Sequence, residues 1–225
     1  GWHGLGGGMA VNEYRRSTGL IAAAVVMVLG LVLILCSRSW RPRTEYDNML
    51  DAAGRAQAAF AAVKAEKISR GLTIHNADDP NETGLIGDYL TSITTTLGDL
   101  GAKRTSVNPN AAALVVRLLY DAGVRPGDRI AVNCSASFPA LNLAVLCAMD
   151  AMELEGTVFS SVGASAYGAN LEEFTYSDME SVLFAEGYIH RRSDFISFGG
   201  ANDQGLEFSE EVKTAIRTRL ARMGY

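Results

Sequence analysis

Three stretches of this chain concentrate the hydroxyls, amides and glycines that bind small polar ligands. Ser135 and Ser137 stand in SASFP. Ser160, Ser161, Gly163, Ser165 and Asn170 stand in SSVGASAYGAN, and Asn202 and Asp203 in GGANDQG. Glycine lets backbone amides come close to a ligand, and hydroxyl and amide side chains supply its hydrogen bonds. Ser137 also precedes a helical pattern, whose first N–H groups suit an anion. As an N-cap it needs no ligand at all. The expected pocket is neutral and hydroxyl-lined and takes a carboxylate, phosphate or sugar. Lys103 and Arg104, in GAKRTS, are the basic pair expected to meet an anion there.

Catalysis is the sharper alternative. Ser137 follows a strand and opens a helix, as the nucleophile of an α/β-hydrolase does, yet SASFP is not G-x-S-x-G. A serine nucleophile needs a base. The candidates are His75, close to Asp78, Asp79 and Glu82, and His190, in IHRRSD. The acidic cluster around His75 reads as a solvated loop, so no metal site and no cofactor are expected. G-x-G-x-x-G and G-x-x-x-x-G-K-[ST] are both missing, which leaves nucleotide binding without a fingerprint.

The elements that must position these residues follow from pattern. Thr44 with Asp47 reads as the start of a helix running to about Arg70, with Gly71 as its stop. Its apolar face would be Tyr46, Met49, Leu50, Ala53, Ala56, Phe60 and Val63. Residues 72–106 are polar and irregular. Asn108-Pro109 opens a helix that buries Leu114, Val115, Leu118 and Leu119 and ends at Gly123. Arg129–Cys134 is β-branched and apolar and reads as a buried strand. A helix over about 139–153 and a strand over Thr157–Val162 complete a βαβ unit and hence a parallel pair. Ser177-x-x-Glu180 caps a further helix. Asp194–Phe198 is the third strand, and the last helix covers about Ser209–Arg222. In such a sheet the loops at the strands' carboxyl ends share one edge, where ligands bind. All three polar stretches fall in those loops.

Four segments resemble the poly-gamma-glutamate system protein family: TGLIG (Thr83–Gly87), TTTLG-x-L-x-AKRTS-x-NP (Thr94–Pro109), SFPALNLAVL (Ser137–Leu146) and SSVGASAYGAN (Ser160–Asn170). The resemblance covers most of residues 72–205. It implies an N-terminal membrane segment ahead of an α/β domain, and a place beside other membrane proteins that make and export poly-γ-glutamate. It supplies no catalytic residue. The family's serine before SFP aligns only loosely with Ser135, and its glycine-rich run is interrupted here by Asn202, Asp203 and Gln204.

The run Gly19–Cys36 carries no charge and no proline. A bilayer core takes about 20 apolar residues in helical form. Tyr14, Arg15 and Arg16 precede it, and Arg38, Trp40, Arg41 and Arg43 follow, as residues of the headgroup zone do. The run is longer than a signal-peptide core and lacks an A-x-A site. Cys36 follows Leu35 rather than the small residue of a lipoprotein signal. The expected organisation is a tail over 1–17, whose first eight residues resemble a tag remnant, a transmembrane helix over 18–37, a basic linker over 38–43 and a three-layer α/β domain with a mainly parallel sheet over 44–225. The result is a single-pass membrane protein in contact with the bilayer through 18–37. The arginine count after the span argues for a cytoplasmic domain and the short tail for an extracytoplasmic one. The expectation leans to the latter.

Of 20 basic and 25 acidic residues, five and one lie in the first 43, so residues 44–225 hold 15 and 24, a net charge of −9. That balance disfavours nucleic acid as a partner. It also removes broad attraction for a polyanion, so poly-γ-glutamate would be held by a chain end or as a small carboxylate. An accessory subunit is the first reading. A serine-dependent hydrolase or transferase acting on a γ-glutamyl amide or ester is the second. Cys134 and Cys147 lie in apolar patterns and read as buried free thiols.

Overall fold

The computed structural model describes residues 6–37 and 43–225, with only the backbone described for 6–17. Trp2, His3 and linker residues 38–42 lie outside the described residues. The chain forms two compact units, 1–43 and 44–225. In the first, helix α1 (Gly6–Ser37) contains a 20-residue stretch, Thr18–Ser37, with a mean hydropathy of 3.0 and no burial. It is long and apolar enough to cross a membrane, a property that anchors and signal sequences share.

The second unit is a mixed α/β domain. Helix α2 spans Tyr46–Ser69, strand β1 Thr94–Thr96, helix α3 Leu100–Ser106 and helix α4 Ala111–Asp121. Strand β2 (Arg129–Asn133), helix α5 (Pro139–Ala151) and strand β3 (Glu155–Ser161) form the expected βαβ unit. Next come β4 (Ala164–Ser165), the hairpin strands β5 (Asn170–Leu171) and β6 (Phe174–Thr175), helix α6 (Tyr176–Ala185), strand β7 (Phe195–Ser197) and helix α7 (Glu210–Arg222). The central sheet has the order β2-β3-β7 and is parallel throughout. Arg129 faces Glu155, Asn133 faces Phe159, and Phe159 faces Phe195. β1 pairs in parallel with β4, so among the described residues only the β5–β6 hairpin is antiparallel.

One face of the sheet is covered. Ile130, Val132 and Val158 join a core built from α2, α4, α5 and α6. Small residues set the packing: Ala52, Ala56 and Ala59 of α2 and Ala112 of α4 are fully buried. The apolar faces read from the sequence hold at Ala56, Phe60 and Val63 and shift at their margins. Tyr46, Leu50, Leu114 and Leu118 are exposed, because alanines and Val116 take the close contacts. Two caps also move. Glu45 precedes α2 without a side-chain cap bond, and Thr175 with Asp178 forms the capping box of α6, beginning two residues before Ser177. Strand β2 is half-open rather than buried, with Arg129, Ala131 and Asn133 facing solvent.

The third layer expected of the domain is not seen among the described residues. The face bearing Ala131, Asn133, Phe159 and Phe195 stays open, and the two phenylalanines are 42% and 58% exposed. Their rings stack on each other, 5.1 Å apart at 17°. The mainly parallel α/β character holds, with helices against one face of the sheet.

Candidate functional site

The carboxyl ends of the three parallel strands converge as the topology requires. The Gly163 N–H donates to the Phe198 carbonyl at 2.9 Å and the Ala169 N–H to the Ala136 carbonyl at 2.9 Å. The Ala136 N–H reaches Ser161 Oγ at 3.2 Å. A cleft of about 940 Å³ opens there and continues onto the uncovered face. Thr95, Thr96, Ser135, Ser137, Ser161 and Ser197 line it with hydroxyls, and the Phe159–Phe195 stack forms an apolar wall. Its charged lining is acidic, from Asp203 and Glu207. A second groove, about 990 Å³, runs along α7 past Ile93, Val162, Ile216 and Leu220.

The residues singled out from the sequence divide between cleft and scaffold. Ser137 Oγ accepts the Ser165 N–H at 2.9 Å and a bond from Ser135 Oγ at 3.0 Å. Ser161 Oγ donates to the Gly163 carbonyl at 3.2 Å. Gly163 is a packing glycine: an added Cβ would sit 2.6 Å from the Phe208 ring and 2.7 Å from Thr95. Asp203 Oδ1 accepts from Ser197 Oγ at 3.1 Å inside the cleft. Its neighbour Asn202 has φ of +55° and is exposed, outside the lining.

Others serve the fold. Ser160 borders the cleft, yet its hydroxyl accepts from Ser193 Oγ at 2.7 Å on the covered face. Asn170 is fully buried. Its Oδ1 accepts the Asp88 N–H at 3.0 Å, and its Nδ2 donates to the Asp88 carbonyl and to Thr94 Oγ1. Arg104 holds the carbonyls of Ala77 and Asp78 and is not a cleft cation. His75 lies against Asp88 at 3.5 Å, and His190 against Asp150 at 3.6 Å beyond the amino end of β3. Neither histidine lines the cleft, so neither is placed as a base for Ser137. Among the described residues no cluster of His, Cys, Asp or Glu could hold a metal ion.

Lys103 is the group whose role changes. It is buried, and its ammonium donates to Ser165 Oγ at 2.7 Å and to the main-chain carbonyl of Ser137. It lies 3.8 Å from the centre of the Phe138 ring. Burial pulls its pKa down to about 8. An anion in the cleft would meet the serines before this ammonium. The signal in the sequence was Lys103 itself, on a helix opened by Asp99, whose carboxylate accepts the Ala102 N–H at 2.6 Å. Spacing alone gave no hint that the side chain passes under Ser137.

Two glycines of these loops act through close packing, which the sequence does not display. Gly168 lets the loop after β4 press on Ser137: a Cβ there would stand 2.9 Å from Ser137 Cα and 3.0 Å from the Ala136 carbonyl. Gly200, with φ of +73°, brings its backbone against Glu207, whose Oε1 accepts the Ala201 N–H at 3.0 Å. Cys134 also lines the cleft, yet burial pushes its thiol up to about 12, with Glu180 nearby adding to the effect. It is not a thiolate nucleophile near neutral pH.

The cleft thus combines an apolar aromatic wall, a hydroxyl floor, an acidic rim and a serine linked to a buried lysine. Comparison with protein-family models, with curated proteins and with solved structures finds no match to this chain.

Proposed function

We propose that the chain is a membrane-anchored component of a poly-γ-glutamate system, and that its α/β domain holds the amino end of a γ-glutamyl chain in the cleft. The observation that carries this reading is the sign of the charge in the cleft. Asp203 and Glu207 are its charged lining residues, and they suit an ammonium group, while Lys103 and Arg104 point their cations elsewhere. The ligand end expected from the sequence was a carboxylate; the acidic rim favours the opposite terminus. The Phe159–Phe195 wall fits the two methylenes of a glutamyl stem, and the serine and threonine hydroxyls fit its amides.

The system itself is supported by the four motif segments and by the apolar helix Thr18–Ser37. The domain's net charge of −9 fits end-on engagement, since the interior of a polyanion is repelled. Calorimetry with tri-γ-glutamate tests the reading. The free-amine form is expected to bind the full chain in detergent, and its N-acetyl form to bind at least tenfold more weakly. Asp203→Asn with Glu207→Gln is expected to abolish the difference. Equal binding of the two forms to the native protein, or binding of neither, would overturn it.

A further inference from the structure

The geometry points to an acyl-transfer centre in this cleft, with Ser137 as nucleophile, Lys103 as the base and Ser165 as the residue that positions both. The substrate class, a γ-glutamyl amide, rests on the ligand reading above; the assignment of the nucleophile does not. Four observations converge. Ser137 lines the cleft and is partly exposed, and its Oγ accepts from the Ser135 hydroxyl at 3.0 Å. Ser165 touches both partners: its N–H donates to Ser137 Oγ at 2.9 Å and its hydroxyl meets Lys103 Nζ at 2.7 Å. The ammonium also holds the Ser137 carbonyl, which fixes the serine's backbone against the lysine. Finally, among the described residues no carboxylate is paired with Lys103; its partners are two neutral oxygens and the face of the Phe138 ring.

That last point decides the chemistry. A lysine clamped by a carboxylate keeps its proton, whereas one buried among neutral groups gives it up near neutral pH. With a pKa of about 8, a fraction of the molecules carries a neutral amine at physiological pH. Lysine then serves where other serine hydrolases use histidine. Gly98 and Gly168 keep the cluster tight. A Cβ on Gly98 would lie 3.1 Å from Ser165 Oγ and 3.3 Å from Lys103 Cε, and one on Gly168 would strike Ser137 Cα.

The reaction balances without any further reagent than water. Ser137 Oγ forms a bond to the γ-carbonyl carbon while its proton passes through one cleft water to the neutral Nζ of Lys103, which is held against the carbonyl of the same serine. Collapse of the tetrahedral adduct breaks the C–N bond, and the leaving amine takes the electron pair and the proton from Lys103. Water then attacks the Ser137 ester, its proton going to Lys103 and on to Ser137 Oγ as the C–O bond breaks. A second amine in place of water gives transfer in place of hydrolysis.

The test is fluorophosphonate labelling of the full chain in detergent, read by intact mass and peptide mapping. One adduct is expected, on the peptide containing Ser137, and none in Ser137→Ala. The labelling rate is expected to rise with pH, with a midpoint near 8, as Lys103 loses its proton. Lys103→Arg keeps the positive charge but cannot act as a base, and is expected to label at least 100-fold more slowly. Absence of an adduct on the native protein, an adduct that survives Ser137→Ala, or wild-type labelling of a folded Lys103→Arg would each overturn the assignment. Should Lys103→Arg fail to fold by circular dichroism, the native pH profile decides, and a flat profile overturns it. Calorimetry on the same samples separates the two proposals. Binding of tri-γ-glutamate without labelling removes only the nucleophile, and labelling without binding removes only the ligand.

Discussion

At the scale of single residues, two buried titrating groups shape the domain. Lys103 stands beneath the cleft. Glu180 is fully enclosed on the covered face, where its carboxylate accepts from the Ser193 hydroxyl at 2.9 Å and the Ser193 N–H at 3.3 Å. Burial pushes the Glu180 carboxyl up to about 7, against the lowering effect of those bonds. Its folded pKa therefore exceeds its unfolded one. Between pH 4.5 and 7 the folded state keeps a proton that the unfolded chain releases, so stability falls as pH rises through that window and levels off above it. The whole effect is about 3 kcal/mol at 1.36 kcal/mol per pKa unit. Glu180→Gln keeps the shape without the titration, so the expected result is a flattened dependence of Tm on pH between 4.5 and 7. Neither group's role was legible in the sequence. Glu180 read as a capping residue, and Lys103 as a cation for an anionic ligand. Burial and the partner at the end of a long side chain are tertiary facts, and local spacing does not carry them.

At the scale of elements, the order of strands and helices was legible and its details were not. Hydrophobic period, turn glycines and the proline at the start of α5 placed the three parallel strands and the helices between them within a few residues. The apolar faces read from the sequence hold at Ala56, Phe60 and Val63 and fail at the large residues on their margins, which were taken as core. Here Ala52, Ala56 and Ala59 form the contact surface and leave Leu50, Leu114 and Leu118 in water. The site loops were correctly grouped at one sheet edge, since parallel topology fixes that. Their close approach depends on glycines, whose packing a sequence does not display. Gly168→Ala measures it. The added methyl would press within 3.0 Å of Ser137 Cα and the Ala136 carbonyl. A stability loss of about 1–3 kcal/mol is expected from overpacking. Fluorophosphonate labelling of Ser137 is expected to fall by more than that loss of fold accounts for, because the serine itself is displaced. Denaturant melts and labelling rates on the same preparation check both parts.

At the scale of the whole molecule, two units with different surfaces share one chain: an apolar helix without burial and an acidic α/β domain. The apolar helix was the plainest signal in the sequence, because a charge-free run of this length needs no tertiary context to be read. The open face of the sheet was the least legible, since a strand buried on both sides and one buried on a single side differ here only by Ala131 and Asn133. If the helix is an uncleaved anchor, the full-length chain is expected to resist alkaline extraction from membranes. Val26→Arg with Leu29→Arg is expected to release it, at about 2.5–3.5 kcal/mol for each central arginine. A shortened product in membranes or medium would favour a cleaved signal sequence. The account stands or falls on the cleft at the carboxyl ends of β2, β3 and β7. Hydrogen–deuterium exchange of the full chain with and without tri-γ-glutamate reads it most directly. The expected result is protection confined to peptides covering 133–138, 159–165 and 195–207, and protection along α2 and α4 alone, or no protection anywhere, would contradict it.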